Sequence, residues 1–315
     1  IRKTYKKVLQ IPSDKLEKLW AVYTVWENDI NPGTAKKFIG EKSADYMLAR
    51  SWYTEWSNIT KRSLKKDVFI PFNLFDENES HKELLRSQLN LWFSWIELEK
   101  KNKLELKDDA LVQQRIEYAY RQALSKIPFS PDLWFYFTKS WLSANEEANL
   151  NKCIDILNEG LVLNPRSNLL TYEVSELYEK DANAPKAAES YQNLIAVLTK
   201  DHERVTESIN ELLKKSELPI SSGLNVEVEK DGDEEDDPYI VDEELSRTKL
   251  QLTQLEVDQL AKYHSIQKQL NKVATLAYTK YMVSSKRTGG IKEARGVFKN
   301  ARQNFKSIGY DFYVQ

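Results

Sequence analysis

The side chains best suited to acid–base, nucleophilic or metal chemistry in this sequence are three histidines and one cysteine. They are His81, His202, His264 and Cys153, which lie far apart along the chain. None of them stands in a spacing such as HExxH or CxxC, and the sequence contains no glycine-rich phosphate loop. His202 falls in an apolar helical stripe, which predicts a half-buried helix residue, and Cys153 is expected to be a small buried hydrophobe. We therefore predict no catalytic residue, no metal site, no cofactor and no enzymatic activity.

Binding chemistry is better represented, first as a row of cations near the end of the sequence. The row consists of Lys292, Arg295, Lys299, Arg302 and Lys306, spaced alternately by three and four residues. This spacing places them on one face of a helix, beside a predicted apolar stripe of Ile291, Ala294, Phe298, Ala301 and Phe305. The row is either an ordinary solvated flank or a contact for RNA phosphates or an acidic partner.

A strongly acidic segment, residues 227–239, is the second candidate for binding. Its core is the run Asp233, Glu234, Glu235, Asp236 and Asp237. Such a composition is typical of a flexible solvating loop, and it could also meet a basic partner. Long near-heptad apolar stripes flank the segment. One runs from Tyr191 to Leu212, and the other consists of Leu252, Leu255, Leu260, Tyr263, Ile266, Leu270 and Val273. We expect the two corresponding helices to pair antiparallel, with the acidic segment at the tip of the hairpin.

These groups must be positioned by helices, because turn-forming residues are scarce: the 315 residues include 9 Gly and 9 Pro. Apolar residues recur with helical period, which predicts an all-α protein. Periodicity, prolines and caps indicate five helix pairs, near 14–29/33–65, 82–102/108–126, 131–144/146–163, 167–180/185–217 and 265–286/290–307. The predicted organisation is helix repeats over 1–218, an acidic flexible linker over 219–240, and a long helix with a further repeat over 241–315.

Composition also limits where the chain can work. A single cysteine cannot form an internal disulfide, which fits a reducing compartment. No run of about 18 or more apolar residues is present, so no membrane span is expected. The net charge of −2 hides an asymmetry. Residues 227–244 contain eleven acids and one lysine, whereas residues 246–315 contain thirteen Lys and Arg against four acids.

A bulky triplet recurs on the first helix of every predicted pair, with members three residues apart. The triplets are Trp20/Tyr23/Trp26, Trp92/Trp95/Leu98, Trp134/Phe137/Ser140, Tyr172/Ser175/Tyr178 and Tyr278/Tyr281/Ser284. Second helices carry a bulky residue followed three residues later by a small one: Tyr120/Ala123, Leu157/Gly160 and Phe298/Ala301. A single helix pair cannot bury its own apolar face, so these residues are predicted to pack one pair against the next in an α–α superhelical solenoid. A base-stacking platform for RNA is the other interpretation of the aromatic residues.

With these residues the sequence resembles the HAT (half-a-tetratricopeptide) repeat, a TPR-like helix pair. The resemblance rests on the pattern W-x2-Y-x2-W-E, in which Glu27 follows Trp26, and on the bulky/small pairs of the second helices. Carboxylates such as Glu97 and Glu99 are accordingly interpreted as helix-surface or repeat-pattern residues. The stretches INPGTAKKFIGEKSADYMLAR, residues 30–50, and TLAYTKYMVSSKRTGGIKEARGVFKNAR, residues 275–302, are similar to the large HAT-repeat subunit of cleavage stimulation factor. The yeast counterpart of that family is the scaffold subunit of cleavage factor IA.

This resemblance implies a non-catalytic scaffold for cleavage and polyadenylation of pre-mRNA, in the nucleus, with the cytoplasm as a second compartment. In the family, later repeats form a homodimer and a C-terminal segment holds an RNA-recognition-motif subunit. Neither region is expected here, since these residues are interpreted as the middle of a longer chain that is cut at both ends, beginning inside the N-terminal half of the repeat array and truncated at the last repeat. Other 3′-end-processing subunits are the expected partners, with at most a weak pre-mRNA contact and no membrane. A HAT scaffold of the splicing machinery and a direct RNA-binding helical-repeat protein remain as alternatives.

Overall fold

In a computed structural model of the chain, every described element of regular structure is a helix. The structure describes residues 1–62, 64, 79–216, 253–304, 309 and 311–314, and no strand occurs among them. The predicted all-α fold class is confirmed. The predicted linker over 219–240 lies outside these ranges, so the predicted domain boundaries stay predictions.

Twelve helices are formed by the described residues. In chain order they are α1 (Arg2–Leu9), α2 (Leu16–Ile30), α3 (Pro32–Arg62), α4 (Glu79–Lys100), α5 (Asp109–Lys126), α6 (Pro131–Ala144), α7 (Glu146–Leu163), α8 (Asn168–Lys180), α9 (Ala184–Ser216), α10 (Gln254–Gly289), α11 (Ile291–Asn304) and α12 (Asp311–Val314). The five predicted pairs correspond to consecutive helices, from α2/α3 to α10/α11. Helix α1 precedes the first predicted pair, and α10 is one continuous helix that begins well before the predicted start near residue 265.

Local chemistry accounts for several helix ends. Asp108 caps α5 and Ser167 caps α8, each by accepting a backbone N–H of the first turn, at 3.0 and 3.2 Å. Ser130 is the N-cap residue of α6 but makes no side-chain capping bond, and the helix begins at Pro131. Gly290 has a φ of 82°, a left-handed conformation that glycine adopts without strain, and this lets α11 start directly after α10.

The chain divides into two compact units, residues 1–149 (unit 1) and residues 150–315 (unit 2). Unit 1 contains α1–α6 and unit 2 contains α8–α12, with the division inside α7. Within unit 1 each helix packs on the next from α1 to α6. Within unit 2, α8 packs on α9, and α10 packs on α8, α9, α11 and α12. The stacked helix pairs of the predicted solenoid class are therefore present within each unit.

The first core cluster of unit 1 joins its three leading helices. It consists of the buried residues Leu9, Leu16, Tyr23, Tyr46 and Ala49. Tyr46 and Ala49 are a bulky residue and a small one three positions apart on α3, the same pattern that marks the other second helices. Half-buried Trp20 and Trp26 pack against this cluster and extend it along α2.

In unit 2 the long helices α9 and α10 lie side by side in opposite directions. Tyr191, early in α9, stacks on Tyr281, late in α10, with ring centroids 5.3 Å apart. Further along α9, Thr206 accepts a hydrogen bond from Gln267 at 3.1 Å. Leu260, early in α10, is buried with apolar residues from the last turns of α9. Residue numbers rise along one helix as they fall along the other, so the predicted antiparallel pairing is confirmed.

One predicted member of the α10 stripe is not buried. Leu255 is 68% exposed, because it lies in the first turn of α10, beyond the part of α9 that the structure describes. Leu252, the first predicted member of the same stripe, lies outside the described residues. The packed stripe of α10 therefore begins at Leu260.

Candidate interaction surfaces

The predicted repeat-packing residues lie at the contacts between neighbouring helices. Seven are buried: Tyr23, Trp92, Trp95, Trp134, Phe137, Tyr178 and Tyr278. The other five, Trp20, Trp26, Tyr172, Tyr281 and Phe298, are half-buried. Where serine takes the third or second triplet position, as Ser140, Ser175 and Ser284, its side chain is buried too. The triplet thus follows an inward-facing line on each first helix, whether or not every member is bulky.

Ring stacking connects these lines to adjacent helices. Trp20 of α2 stacks on Tyr46 of α3 with centroids 4.4 Å apart. Tyr120 of α5 stacks on Phe137 of α6 at 5.0 Å. Aromatic pairs of this kind contribute about 0.5–1.5 kcal/mol beyond the area they bury. The corresponding stacked pairs of unit 2 are Tyr191/Tyr281 at 5.3 Å and Phe298/Phe312 at 5.2 Å.

A glutamate directly follows the triplet on α2, α4 and α8, and an arginine from another helix holds each one. The three pairs are Glu27 with Arg2, Glu99 with Arg115, and Glu179 with Arg287. In every pair Nε and Nη2 of the arginine donate to the carboxylate, at 2.9–3.2 Å. Two-point pairing of this kind fixes orientation as well as distance. It ties α1 to α2, α5 to α4, and α10 to α8.

The carboxylates on α2 and α4 have opposite electrostatic settings. Hydrogen bonds from Arg2 lower the pKa of Glu27 below its usual value, and they outweigh the opposing effect of burial. At Glu99 burial dominates and raises the pKa, although Arg115 and the Trp95 indole N–H both oppose it. The indole nitrogen donates to Oε1 of Glu99 at 3.1 Å. The same repeat position therefore carries one carboxylate stabilised as an ion and one that burial penalises.

The sequence identified Glu27 and Glu99 as pattern residues but not the arginines that hold them. The three arginines lie 25, 16 and 108 residues from their glutamates, so no short motif joins the partners. The sequence position could have indicated that a partner was needed, because a carboxylate next to a buried aromatic triplet requires a counter-charge. Two of the arginines also stand over rings: Arg2 lies 3.9 Å from the Phe38 centroid and Arg115 lies 4.7 Å from that of Trp52.

The predicted cation row lies on α11. Its described members, Lys292, Arg295, Lys299 and Arg302, are all exposed. None of the four forms an ion pair with another described residue. The buried face of the same helix contains Ala294, Val297 and Ala301. Ile291, predicted to belong to that face, is 53% exposed because it is the first residue of the helix, next to the turn at Gly290.

Several predicted binding residues have no described placement. They are the acidic candidates Asp233, Glu234, Glu235, Asp236 and Asp237, together with Phe305 and Lys306. The role of the acidic segment and the last position of the cation row therefore stay predictions.

The histidines and the cysteine are spread over four helices. Cys153 is buried in α7. His202 is half-buried on α9, where burial lowers the pKa of its imidazole, while His264 lies on α10 and His81 on α4. In the part of the chain that the structure describes, no three His, Cys, Asp or Glu side chains approach closely enough to hold a metal ion. Within that same part, no helix combines the length and apolar character needed to cross a membrane.

The sequence has clear relatives along its entire length. A family model described as Suppressor of forked protein (Suf) matches residues 1–315. The mRNA 3′-end-processing protein RNA14 of Debaryomyces hansenii is 49% identical over 318 residues, covering 100% of this chain and 42% of the relative. Proteins of the same name from Candida albicans and Saccharomyces cerevisiae are 39% and 32% identical, covering 100% of this chain and 44% and 40% of their own lengths. The chain spans about two fifths of the length of these curated relatives.

A solved structure is also similar. The crystal structure of CstF-77 aligns with 95% of this chain and 60% of its own, with a TM-score of 0.43 and 14% sequence identity. The family resemblance predicted from residues 30–50 and 275–302 is confirmed by the match over the full sequence. This chain belongs to the Suppressor of forked family.

Proposed function

We propose that this chain is a scaffold region of the nuclear machinery that cleaves and polyadenylates pre-mRNA, and that it does not itself catalyse a reaction. The observation that carries the proposal is the 49% identity to an mRNA 3′-end-processing protein over the whole of this chain. The relatives' name favours 3′-end processing over splicing, the alternative that the repeat alone left open. The chain spans about two fifths of the length of these relatives. The binding partners of the whole protein are therefore proposed here as well.

Stacked helix pairs suit a scaffold because each pair exposes further surface to partners. The Glu–Arg pairs and stacked rings hold neighbouring helices at fixed distances. A partner then meets a preorganised surface, which lowers the entropy lost on binding. Other 3′-end-processing subunits would bind these faces. An RNA-recognition-motif subunit and a homodimer contact would use segments beyond these residues.

The proposal is tested by purifying the tagged full-length protein from nuclear extract and identifying its partners by mass spectrometry. We expect a poly(A) polymerase, the 3′-end endonuclease and an RNA-recognition-motif protein. The matched control is the same protein without residues 1–315. Proteins that copurify with the full-length protein but not with this control are bound through this region. Recovery of small nuclear ribonucleoprotein components instead would overturn the proposal in favour of splicing.

Direct RNA contact is a second candidate, favoured by the cation row on α11. Four exposed Lys and Arg side chains lie along one face of α11, and Glu293 is the one acidic residue of that helix. Cations without a carboxylate partner among the described residues are available to phosphates. Such contacts give binding that weakens steeply with salt and shows little preference for sequence.

The double variant Lys299→Glu/Arg302→Glu tests this contact against single-stranded oligouridylate of about 20 nucleotides. We expect weaker binding and a salt dependence shallower by about 1.4 in log K per log salt, for two lost phosphate contacts. Lys262→Glu/Lys268→Glu is the matched control, because both lysines are exposed on α10 away from the row. If the two double variants behave alike, the row on α11 is only a solvated surface.

A further inference from the structure

An open cavity in unit 1 has no role in the functions described so far. It is lined by α1, α3, α4 and α5 and by the α1–α2 and α4–α5 connections, and its volume is about 1090 Å³. This volume is slightly above the range for small-molecule sites, roughly 300–1,000 Å³. Four indoles line it, those of Trp52, Trp56, Trp92 and Trp95. We call it the indole cavity.

The rim of the indole cavity exposes large apolar side chains. Ile11 is 58% exposed, Leu111 46% and Tyr118 58%, and all three line the cavity. Single exposed apolar residues are common, but several around one concavity lined by tryptophan form a contiguous apolar surface. Surfaces of this kind mark contacts with other molecules.

The rim is also positively charged. Lys7, Lys61 and Lys126 line it, and the acids there are Asp14 and Glu99. Glu99 is already held by its arginine, so Asp14 is the one exposed acid among the lining residues. Among the described residues, neither Lys7 nor Lys126 forms an ion pair. The electrostatic field around the opening therefore favours an acidic occupant.

The indoles are arranged for apolar side chains rather than for nucleobases. Trp52 stacks on Trp56 with centroids 6.0 Å apart, and Trp92 stacks on Trp95 at 5.6 Å. The guanidinium of Arg115 stands over Trp52 at 4.7 Å. A base that stacks on protein needs an open ring face. Trp52, Trp92 and Trp95 are only 7%, 2% and 5% exposed, so they offer little open ring face to a base, whereas the exposed apolar rim can still receive aliphatic and aromatic side chains.

We propose that the indole cavity docks a short acidic peptide segment of a partner protein. Large apolar side chains of the segment pack against the exposed rim residues Ile11, Leu111 and Tyr118 above the indoles. Its carboxylates face Lys7, Lys61 and Lys126. The proposal rests on the scaffold function and deepens it, because it assigns one docking surface and the chemistry of the segment that fits it. Aromatic anchors in a desolvated pocket with charged groups at the rim are the usual division of affinity and specificity in such contacts.

The test is a selection from random peptides of about 16 residues, displayed on phage and bound to this chain. We expect enriched peptides that combine Asp and Glu with Phe, Trp or Leu. Their affinity should fall about tenfold or more for Lys7→Glu/Lys126→Glu, and should be kept by the control Lys36→Glu/Lys37→Glu, exposed on α3 away from the cavity.

A second pair of variants separates the apolar contact from the charge. Ile11→Ser/Leu111→Ser should also weaken binding about tenfold, and both residues are exposed, so the fold is kept. Val162→Ser is the matched control, since Val162 is 80% exposed in unit 2. Circular dichroism of each variant must match that of the parent.

Three results would overturn the proposal. One is that no acid-rich peptides are enriched, or that the enriched peptides bind every variant equally. Another is that oligouridylate binds the cavity and responds to the same substitutions, which would make RNA the occupant. The third is that replacing residues 65–78 by a Gly-Ser linker creates peptide binding absent from the parent, which would make the chain its own occupant. Because the selection uses purified chain, it can fail while the purification from nuclear extract succeeds, so the two proposals fail separately.

Discussion

Unit 1 and unit 2 bury the same repeated triplet with different kinds of side chain. All eight tryptophans of the chain lie between residues 20 and 141, in unit 1. Unit 2 has none and instead places its two longest helices, α9 with 33 residues and α10 with 36, against each other. In unit 1 large rings fill most of the space between helices, and Ser140 is the one serine in its triplets. Both triplets of unit 2 include a serine, and there the helix contact is spread along two long helices.

This difference shows that a helix pair can be joined to its neighbour either by a few large rings or by a long line of smaller contacts. Each indole carries much buried area, so unit 1 concentrates its stability in few residues. The α9–α10 contact distributes it over aliphatic residues such as Ile209, Leu212 and Leu260, which are buried in one cluster. The surfaces differ accordingly: the indole cavity belongs to unit 1 and the cation row to unit 2.

The largest effect is expected from removing one indole of unit 1. Trp92 is 2% exposed, and Trp92→Ala should lower the free energy of unfolding by about 3–5 kcal/mol through lost burial and a residual cavity. Urea unfolding would be followed by tryptophan emission, which reports only on unit 1, and by circular dichroism, which reports on both units. Ser94→Ala, exposed on the same helix, is the control. A loss below about 1 kcal/mol would show that unit 1 does not concentrate its stability in its rings.

The second largest loss in the free energy of unfolding is expected at a buried Glu–Arg pair of unit 1, compared with a more exposed pair of unit 2. Arg115→Ala leaves Glu99, with 5% of its side chain exposed, without its partner, and should cost about 3 kcal/mol. Arg287 is 55% exposed, so Arg287→Ala should cost about 1 kcal/mol or less. Urea unfolding measures both losses. Adding Glu99→Gln to Arg115→Ala should recover part of the loss, and equal costs for the two arginines would contradict the expected difference.

A smaller and more local effect is expected at the end of the α9–α10 contact. Leu260→Ala should destabilise this end by about 2 kcal/mol without unfolding the rest of unit 2. Hydrogen exchange should then speed up at the last turns of α9 and the first turns of α10, and stay unchanged near Tyr191 and Tyr281. Faster exchange throughout unit 2 would mean that its stability is not distributed along the helices.

The smallest effect is a difference in pH dependence between two glutamates at the same repeat position. The pKa of Glu27 is lowered in the fold, so its stabilisation is present above the unfolded pKa and is lost as pH falls through the folded pKa. The pKa of Glu99 is raised, so its contribution is present below the unfolded pKa and is lost as pH rises through the folded pKa. Relative to the parent, the deficit of Glu27→Gln should grow as pH rises and that of Glu99→Gln should shrink.

Thermal unfolding at intervals between about pH 3 and pH 7 covers the titration of both groups. Glu17→Gln is a suitable control, because this glutamate is 68% exposed and pairs with the exposed Arg50 at the surface. Deficits that change with pH in the same direction for Glu27→Gln and Glu99→Gln would contradict the opposite settings of these carboxylates.

The sequence by itself determined the helices and the faces they bury. Apolar period, proline position and capping residues act within about four residues of each other, so they can be read locally. Trp92, Phe137 and Tyr278 were recognised as packing residues in this way, and their burial follows from that period. The same local reading was wrong for Leu255 and Ile291, since both stand at helix starts where the period continues but no described neighbour covers it.

Only the tertiary structure decided which helices pack together and which ion pairs and cavities form between them. Arg287 reaches Glu179 from 108 residues away, and no local pattern encodes that distance. The indole cavity likewise brings Ile11, Leu111 and Tyr118 to one rim from two separate parts of the sequence. Such contacts depend on how helices are placed against each other, which is set by the whole packed core rather than by the residues next in the chain.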